Sequence, residues 1–157
     1  MAVRVQREDF DVGAEVRAMT AGRHEIGAVV TFTGTVRGSG KSGPITAMTL
    51  EHYPGMTERE LERVEAEAKA RWPLSGSLVV HRYGRLEPGE NIVLVVTASP
   101  HREAAFAAAE FLMDYLKTSA PFWKSETGAE GAPRWVDADA KDAQRAARWR
   151  GPDEAAE

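Results

Sequence analysis

Hydrophobic and polar positions fall into blocks along the chain, and most blocks carry a recognisable period. Residues 2–6 read as a short strand and residues 11–19 as a short helix. Residues 26–36 (IGAVVTFTGTV) are rich in β-branched side chains and predict a strand, in which Gly27 and Gly34 mark close backbone approaches or a bulge. Residues 38–43 (GSGKSG) follow as a flexible loop. Residues 45–53 alternate as a second strand, which Pro54-Gly55 breaks. Thr57 and Glu60 fit a capping box, and Leu61, Val64, Ala68 and Trp72 share one face of the helix it opens. Residues 77–86 and 91–99 are strands joined by the turn Glu87-Pro88-Gly89-Glu90. Ser99 as N-cap and Pro100 at the first helical position predict a helix running to about Thr118. Its buried stripe is Phe106, Ala109, Leu112, Met113 and Leu116. Residues 122–126 are extended, 127–133 a loop, 134–136 a short strand and 138–149 a helix.

Strands adjacent in sequence, mixed with helices, predict an α+β fold with a largely antiparallel sheet, not a doubly wound parallel one. The 157 residues suffice for one well-buried domain, placed at 1–150, with 151–157 a polar, frayed tail. No run reaches the roughly 18 apolar residues of a membrane helix, and no apolar secretory stretch opens the chain, so a cytoplasmic protein is expected. The net charge of −4 excludes a generally basic nucleic-acid coat but leaves room for a local cationic pocket. There is no cysteine, which excludes disulfides, thiolate metal sites and a cysteine nucleophile. Any sulfur this protein handles must be brought by another molecule.

Three groups of residues could carry chemistry. Arg37 sits where a strand runs into a glycine-rich loop, a place from which a guanidinium can grip a phosphate with two parallel hydrogen bonds. A solvated loop arginine is the plainer reading of that residue alone. His101 and Arg102 lie in the first turn of a predicted helix, where their charge opposes the helix dipole; either an anion completes the site or both side chains point to water. Lys117 lies near the end of the same helix, and Lys124 lies beside Phe122 and Trp123. Buried aromatics can strip water from a lysine and lower its pKa, which suits proton transfer. Two surface lysines is the plainer reading of the spacing. The four histidines, His24, His52, His81 and His101, lack zinc-ligand spacing, and His52 and His81 read as structural strand residues. From the residues alone, the chain predicts a cationic pocket for a small phosphorylated ligand, with no reaction specified.

Five segments in order sharpen this picture. They are Phe32-Thr33-Gly34-Thr35-Val36-Arg37-Gly38; Leu50-Glu51-His52-Tyr53; His81-Arg82-Tyr83-Gly84-Arg85-Leu86 with Gly89-Glu90; Ser99-Pro100-His101-Arg102 with Ala105-Phe106; and Asp114-Tyr115-Leu116-Lys117 through Ala120-Pro121-Phe122-Trp123-Lys124-Ser125-Glu126. Together they resemble the large, catalytic subunit family of molybdopterin synthase, over about residues 10–149. The resemblance implies an α/β hammerhead-type fold with an additional antiparallel β subdomain. It implies a homodimer with a small ubiquitin-like sulfur-carrier subunit at each end, giving a heterotetramer. The carrier's C-terminal Gly-Gly thiocarboxylate would enter the active site and supply two sulfurs to cyclic pyranopterin monophosphate, forming the molybdopterin dithiolene. No metal or organic cofactor, nucleic acid or membrane is implied.

By motif, the resemblance makes Lys117 and Lys124 the catalytic pair. It makes Thr35, Val36, Arg37, His101, Arg102, Ser125 and Glu126 substrate-binding residues. One departure concerns a basic residue that the family places after Arg134-Trp135-Val136, where it reaches the partner subunit's site. Here Asp137, Ala138, Asp139 and Ala140 follow, and Lys141 is the next cation. A binding module without chemistry and an unrelated phosphate-ester enzyme are the rival readings. The two lysines count against the first, and the missing nucleophile motif against the second.

Overall fold

A computed structural model describes residues 2–137 and 139–150, so the tail assigned to 151–157 lies outside the described residues. The chain runs β1 (Ala2–Gln6), α1 (Val12–Thr20), β2 (Ala28–Thr35), β3 (Ser39–Gly40), β4 (Gly43–His52), α2 (Met56–Arg71), β5 (Gly76–Arg82), β6 (Gly84–Leu86), β7 (Asn91–Ser99), α3 (Arg102–Thr118), β8 (Phe122–Gly128), β9 (Pro133–Val136) and α4 (Ala140–Ala147). The expected α+β class holds. Among the described residues, no helix is long and apolar enough to cross a membrane.

One sheet has the order β1-β5-β7-β2, with β1 parallel to β5 and the other pairs antiparallel. Helices cover both its faces, so β5 is buried at every position. The period of two sorts its side chains. Val79, Val93 and Val95 point to α2 and α3, where Leu61, Val64, Ala68, Phe111, Leu112 and Leu116 meet them. Leu78, Val80, Leu94 and Val96 point to the opposite face, under Phe10 and the half-buried Val12, Val16 and Met19. The second sheet is antiparallel, with the order β3-β4-β8-β9 and β6 paired to the other side of β4. Its inner face closes over Val36, Met48, Leu50 and Leu86.

Several boundaries differ from expectation. Helix α2 starts earlier: Gly55, at φ +84°, is the N-cap, and Glu58 accepts from its N–H at 2.6 Å. Thr57 is instead buried inside the first turn, its hydroxyl donating to the Tyr53 carbonyl. Helix α3 begins at Arg102 with His101 as N-cap, because Ser99 ends β7 and its hydroxyl donates to the Pro73 carbonyl. Of its expected stripe, Ala109, Leu112 and Leu116 are buried and Met113 half-buried, but Phe106 is 61% exposed, and Ala104, Ala105 and Ala108 are buried in its place. Alanines let the helix approach β7 closely, and Thr97 on β7 donates to the Ala105 carbonyl. The single strand expected over 77–86 is two strands, because Gly84 at φ +92° sends the chain from one sheet into the other. The segment 38–43 is a tight hairpin in which Gly40 pairs with Gly43. Thr127 and Gly128 extend β8 beyond the expected extended segment.

Candidate active site

Strand β2, the turn after it and the last turns of α3 enclose a cleft of about 310 Å³. Thr35 and Arg37 line one wall, and Lys117 and Met113 line another. Phe32, Ile92, Val93 and Leu116 supply apolar surface, and His81 on β5 closes the floor. Volume and character match an ordinary small-ligand site: apolar walls and a few convergent polar groups.

The backbone explains why these groups converge. Gly34 is needed because a Cβ there would meet Val93 Cγ1 at 2.8 Å, and the β2–β7 register shifts between Gly34 and Thr35. After that bulge, Val36 N–H donates to the Glu90 carbonyl and Gly89 N–H donates to the Val36 carbonyl. The strand end is thus stapled to the turn after β6. Val36 turns its side chain into the core, while Thr35 and Arg37, one residue to either side, line the cleft. Buried Arg82 holds the staple from behind: its Nη1 donates to the Asn91 carbonyl at 3.0 Å and its Nε to the Arg7 carbonyl at 2.9 Å. Glu90 closes the same turn by accepting from Glu87 N–H at 2.6 Å.

Lys117 suits the C-terminal end of α3, where a cation meets the negative end of the helix dipole. Its pKa lies below the ordinary lysine value. Desolvation against the cleft is the main cause, followed by the positive charge of Lys124; Asp142 opposes the shift and Arg37 adds to it. Lys124 stands on β8, half-buried, opposite Leu50 on one side and Val136 on the other. Phe122 shares its face of β8 and stacks on His81 at 3.8 Å between ring centroids. That stack ties the strand bearing Lys124 to the strand bearing His81.

The other expected residues lie elsewhere. Ser125, buried, points to the face of β8 opposite Lys124, between Thr49 and Trp135. Glu126 points back to the Lys124 face, and a Cβ on Gly40 would meet its carboxylate at 2.9 Å, so it lies beneath the β3–β4 hairpin. His101 and Arg102 line a separate hollow of about 410 Å³ with Gly27, Pro100 and Glu103. Arg102 and Lys117 are fifteen residues apart on α3, roughly 22 Å along the helix. One protomer therefore brings Thr35, Arg37 and Lys117 together, with Lys124 close by, and leaves His101 and Arg102 at the far end. Lys141 stands in the first turn of α4, which Asp139 caps, and Arg134 pairs across β8–β9 with Glu126. Phe32, Met113 and His81 were not singled out as candidates. Phe32 and His81 open two of the quoted segments and Met113 lies in the α3 stripe, but only the tertiary fold turns the three to the same space.

The family model described as MoaE protein matches residues 5–119. A molybdopterin synthase catalytic subunit from Mesorhizobium japonicum is 57% identical over 155 residues, covering 97% of this chain and 95% of that protein. The structure of molybdopterin cofactor biosynthesis protein E from Burkholderia multivorans superposes with a TM-score of 0.79 at 52% identity, covering 94% of this chain and 95% of that one. Molybdopterin synthase from Staphylococcus aureus superposes with a TM-score of 0.76 at 32% identity, covering 85% of this chain and 96% of that one.

Proposed function

This chain belongs to the MoaE family, and from that premise we propose that it is the catalytic subunit of molybdopterin synthase. It transfers two sulfurs in turn from a thiocarboxylated, ubiquitin-like carrier subunit to cyclic pyranopterin monophosphate, forming the dithiolene of molybdopterin in the cytoplasm. The observation that carries this reading is the cleft at the C-terminal end of α3, where Arg37 and Lys117 stand between apolar walls with Lys124 nearby. Its apolar walls suit a flat heterocycle, and its cations suit a phosphate and the carrier's thiocarboxylate.

In this reading Lys117 and Lys124 hold and polarise the thiocarboxylate and stabilise the charge that develops as sulfur adds to the pterin side chain. A lysine with a lowered pKa can also pass a proton to the departing oxygen. Water then releases the spent carrier as a carboxylate. Ser125 and Glu126 act from behind, through the packing of β8 and the β3–β4 hairpin. His101 and Arg102 are too far from Lys117 to serve the same cleft in one protomer. A homodimer resolves this: two-fold symmetry offers the partner's His101 and the partner's Arg102 to this protomer's cleft, where they hold the phosphate-bearing end of the substrate.

Reconstitution tests the function. The purified chain, a thiocarboxylated carrier and cyclic pyranopterin monophosphate should yield dithiolene product by mass. That product should require the carrier and disappear in Lys117→Ala and Lys124→Ala. Near-normal product in both variants would remove the lysines from the chemistry, and no product from the wild type would remove the function.

A further inference from the structure

His81 lines the cleft, and the scheme above leaves it without a task. It is 9% exposed, and its ring is fixed twice: Phe122 stacks on it at 3.8 Å and 19°, and Nδ1 lies 2.8 Å from the Arg82 carbonyl. A carbonyl can only accept, so Nδ1 carries the proton and donates. In the neutral ring, the other nitrogen, Nε2, is then a lone-pair acceptor. No hydrogen bond to Nε2 is formed among the described residues, and it is not a sealed, unsatisfied atom either. The remaining opening for it is the cleft.

Among the described residues, the cleft has no other side-chain group that can only accept. Arg37 and Lys117 only donate, and Thr35 can do either. Charge reinforces the assignment. Burial holds the imidazole pKa down to about 4, and the nearby positive Lys117 adds to that, against the Arg82 carbonyl. The ring therefore remains neutral, and an acceptor, throughout the physiological range.

Building on the function proposed above, we propose that His81 is a substrate-contacting residue, whose Nε2 accepts a hydrogen bond from an N–H or O–H donor of the heterocyclic ligand seated between Arg37 and Lys117. A ligand carrying only acceptors and negative charge would satisfy the cations and leave Nε2 bare. A heterocycle with a donor edge satisfies both. His81 thereby selects for the donor pattern of the ring, while the arginine and lysines select for charge.

The test uses the full chain with its carrier. His81→Phe keeps an aromatic ring to stack on Phe122 and removes the acceptor; His81→Gln offers an amide oxygen near the position of Nε2. Expected is a KM for cyclic pyranopterin monophosphate raised about tenfold or more in His81→Phe, with carrier affinity unchanged and most of the loss recovered in His81→Gln. In the wild type, the imidazole 15N resonance of Nε2 should shift when the pterin is added without carrier. A folded His81→Phe protein with wild-type KM, together with an unmoved Nε2 resonance, would overturn the proposal. Failure of the functional reading looks different: the wild type makes no product. The 15N shift on adding pterin then still decides whether His81 meets the ligand.

Discussion

The two ends of α3 carry the same kind of cargo, cationic side chains, in opposite surroundings. At the C-terminal end, strands β2, β5 and β7 wall in Lys117 with Arg37 and His81. The dipole favours a cation there, and loss of water lowers the lysine pKa. At the N-terminal end, His101 and Arg102 stand on the helix's first residues and the loop before it, with only Gly27 from elsewhere in the chain beside them. The dipole there opposes a cation and welcomes an anion. One end is built to alter the chemistry of its residues. The other is built to hold a negative group, and it lacks walls of its own. In the proposed function, a single protomer thus contributes the reactive part of a site from one end and a phosphate-holding part from the other.

Removing the reactive end should have the largest effect. Lys117→Ala should lower turnover by about 10²–10³, the scale for loss of one preorganised charge-stabilising group, while carrier affinity by titration stays close to wild type. An equal loss in both would make Lys117 a docking residue. Acid should separate the two ends next. The folded His81 pKa of about 4 lies below its unfolded value of 6.5, so the unfolded chain takes up the proton first. The stability tied to neutral His81 is full above pH 6.5 and is lost as pH falls through about 4, by roughly 3 kcal/mol at most. Urea unfolding at pH 7 and pH 4.5 should show a smaller pH-dependent difference in His81→Phe; an unchanged difference would place the acid sensitivity elsewhere.

At the opposite end, Gly27→Ala would put a Cβ 2.2 Å from the Pro100 carbonyl oxygen. The loop bearing His101 must then move, at about 1–3 kcal/mol of stability by thermal unfolding, and substrate KM should rise with it. Unaltered stability would mean the loop yields freely. The smallest effect should come from the staple behind Arg37. Glu90→Ala removes the acceptor for Glu87 N–H and an ion-pair partner of Arg82. It should raise substrate KM about threefold and leave kcat near wild type, in line with one net hydrogen bond. A larger fall in kcat than in affinity would mean that the turn positions reacting groups directly.

The sequence carried one end of this comparison better than the other. Strands β1 and β7 are legible to the residue, β7 because its β-branched run is bounded by Gly89-Glu90 and Pro100. The bulge at Gly34 is legible from a lone glycine in such a run. Helix starts are not, since Ser99 and Thr57 satisfy local capping patterns yet are claimed by the Pro73 and Tyr53 carbonyls. The stripe of α3 is legible at Ala109, Leu112 and Leu116, but Phe106 looks like a core residue where the helix instead buries Ala104, Ala105 and Ala108. Arg37 and Lys117 stand out as charged residues at element ends. His81 does not, because the role proposed for it depends on Phe122 from β8 and Lys117 from α3 arriving beside it. The separation of His101 and Arg102 from Lys117 is also invisible to motif order, although the length of the predicted helix already implied it.

The central claim is that the two ends of α3 are halves of one site, completed between protomers. Mixing tests it most directly. Arg102→Ala and Lys117→Ala proteins, each inactive alone with carrier and cyclic pyranopterin monophosphate, are dissociated together and allowed to re-form dimers. Random pairing makes half the dimers mixed, and each mixed dimer has one of its two sites intact, so activity should return to about a quarter of wild type. Mixtures that stay as inactive as the separate variants, with mixed dimers confirmed by mass, would contradict the account and return both ends of the helix to a single protomer's chemistry.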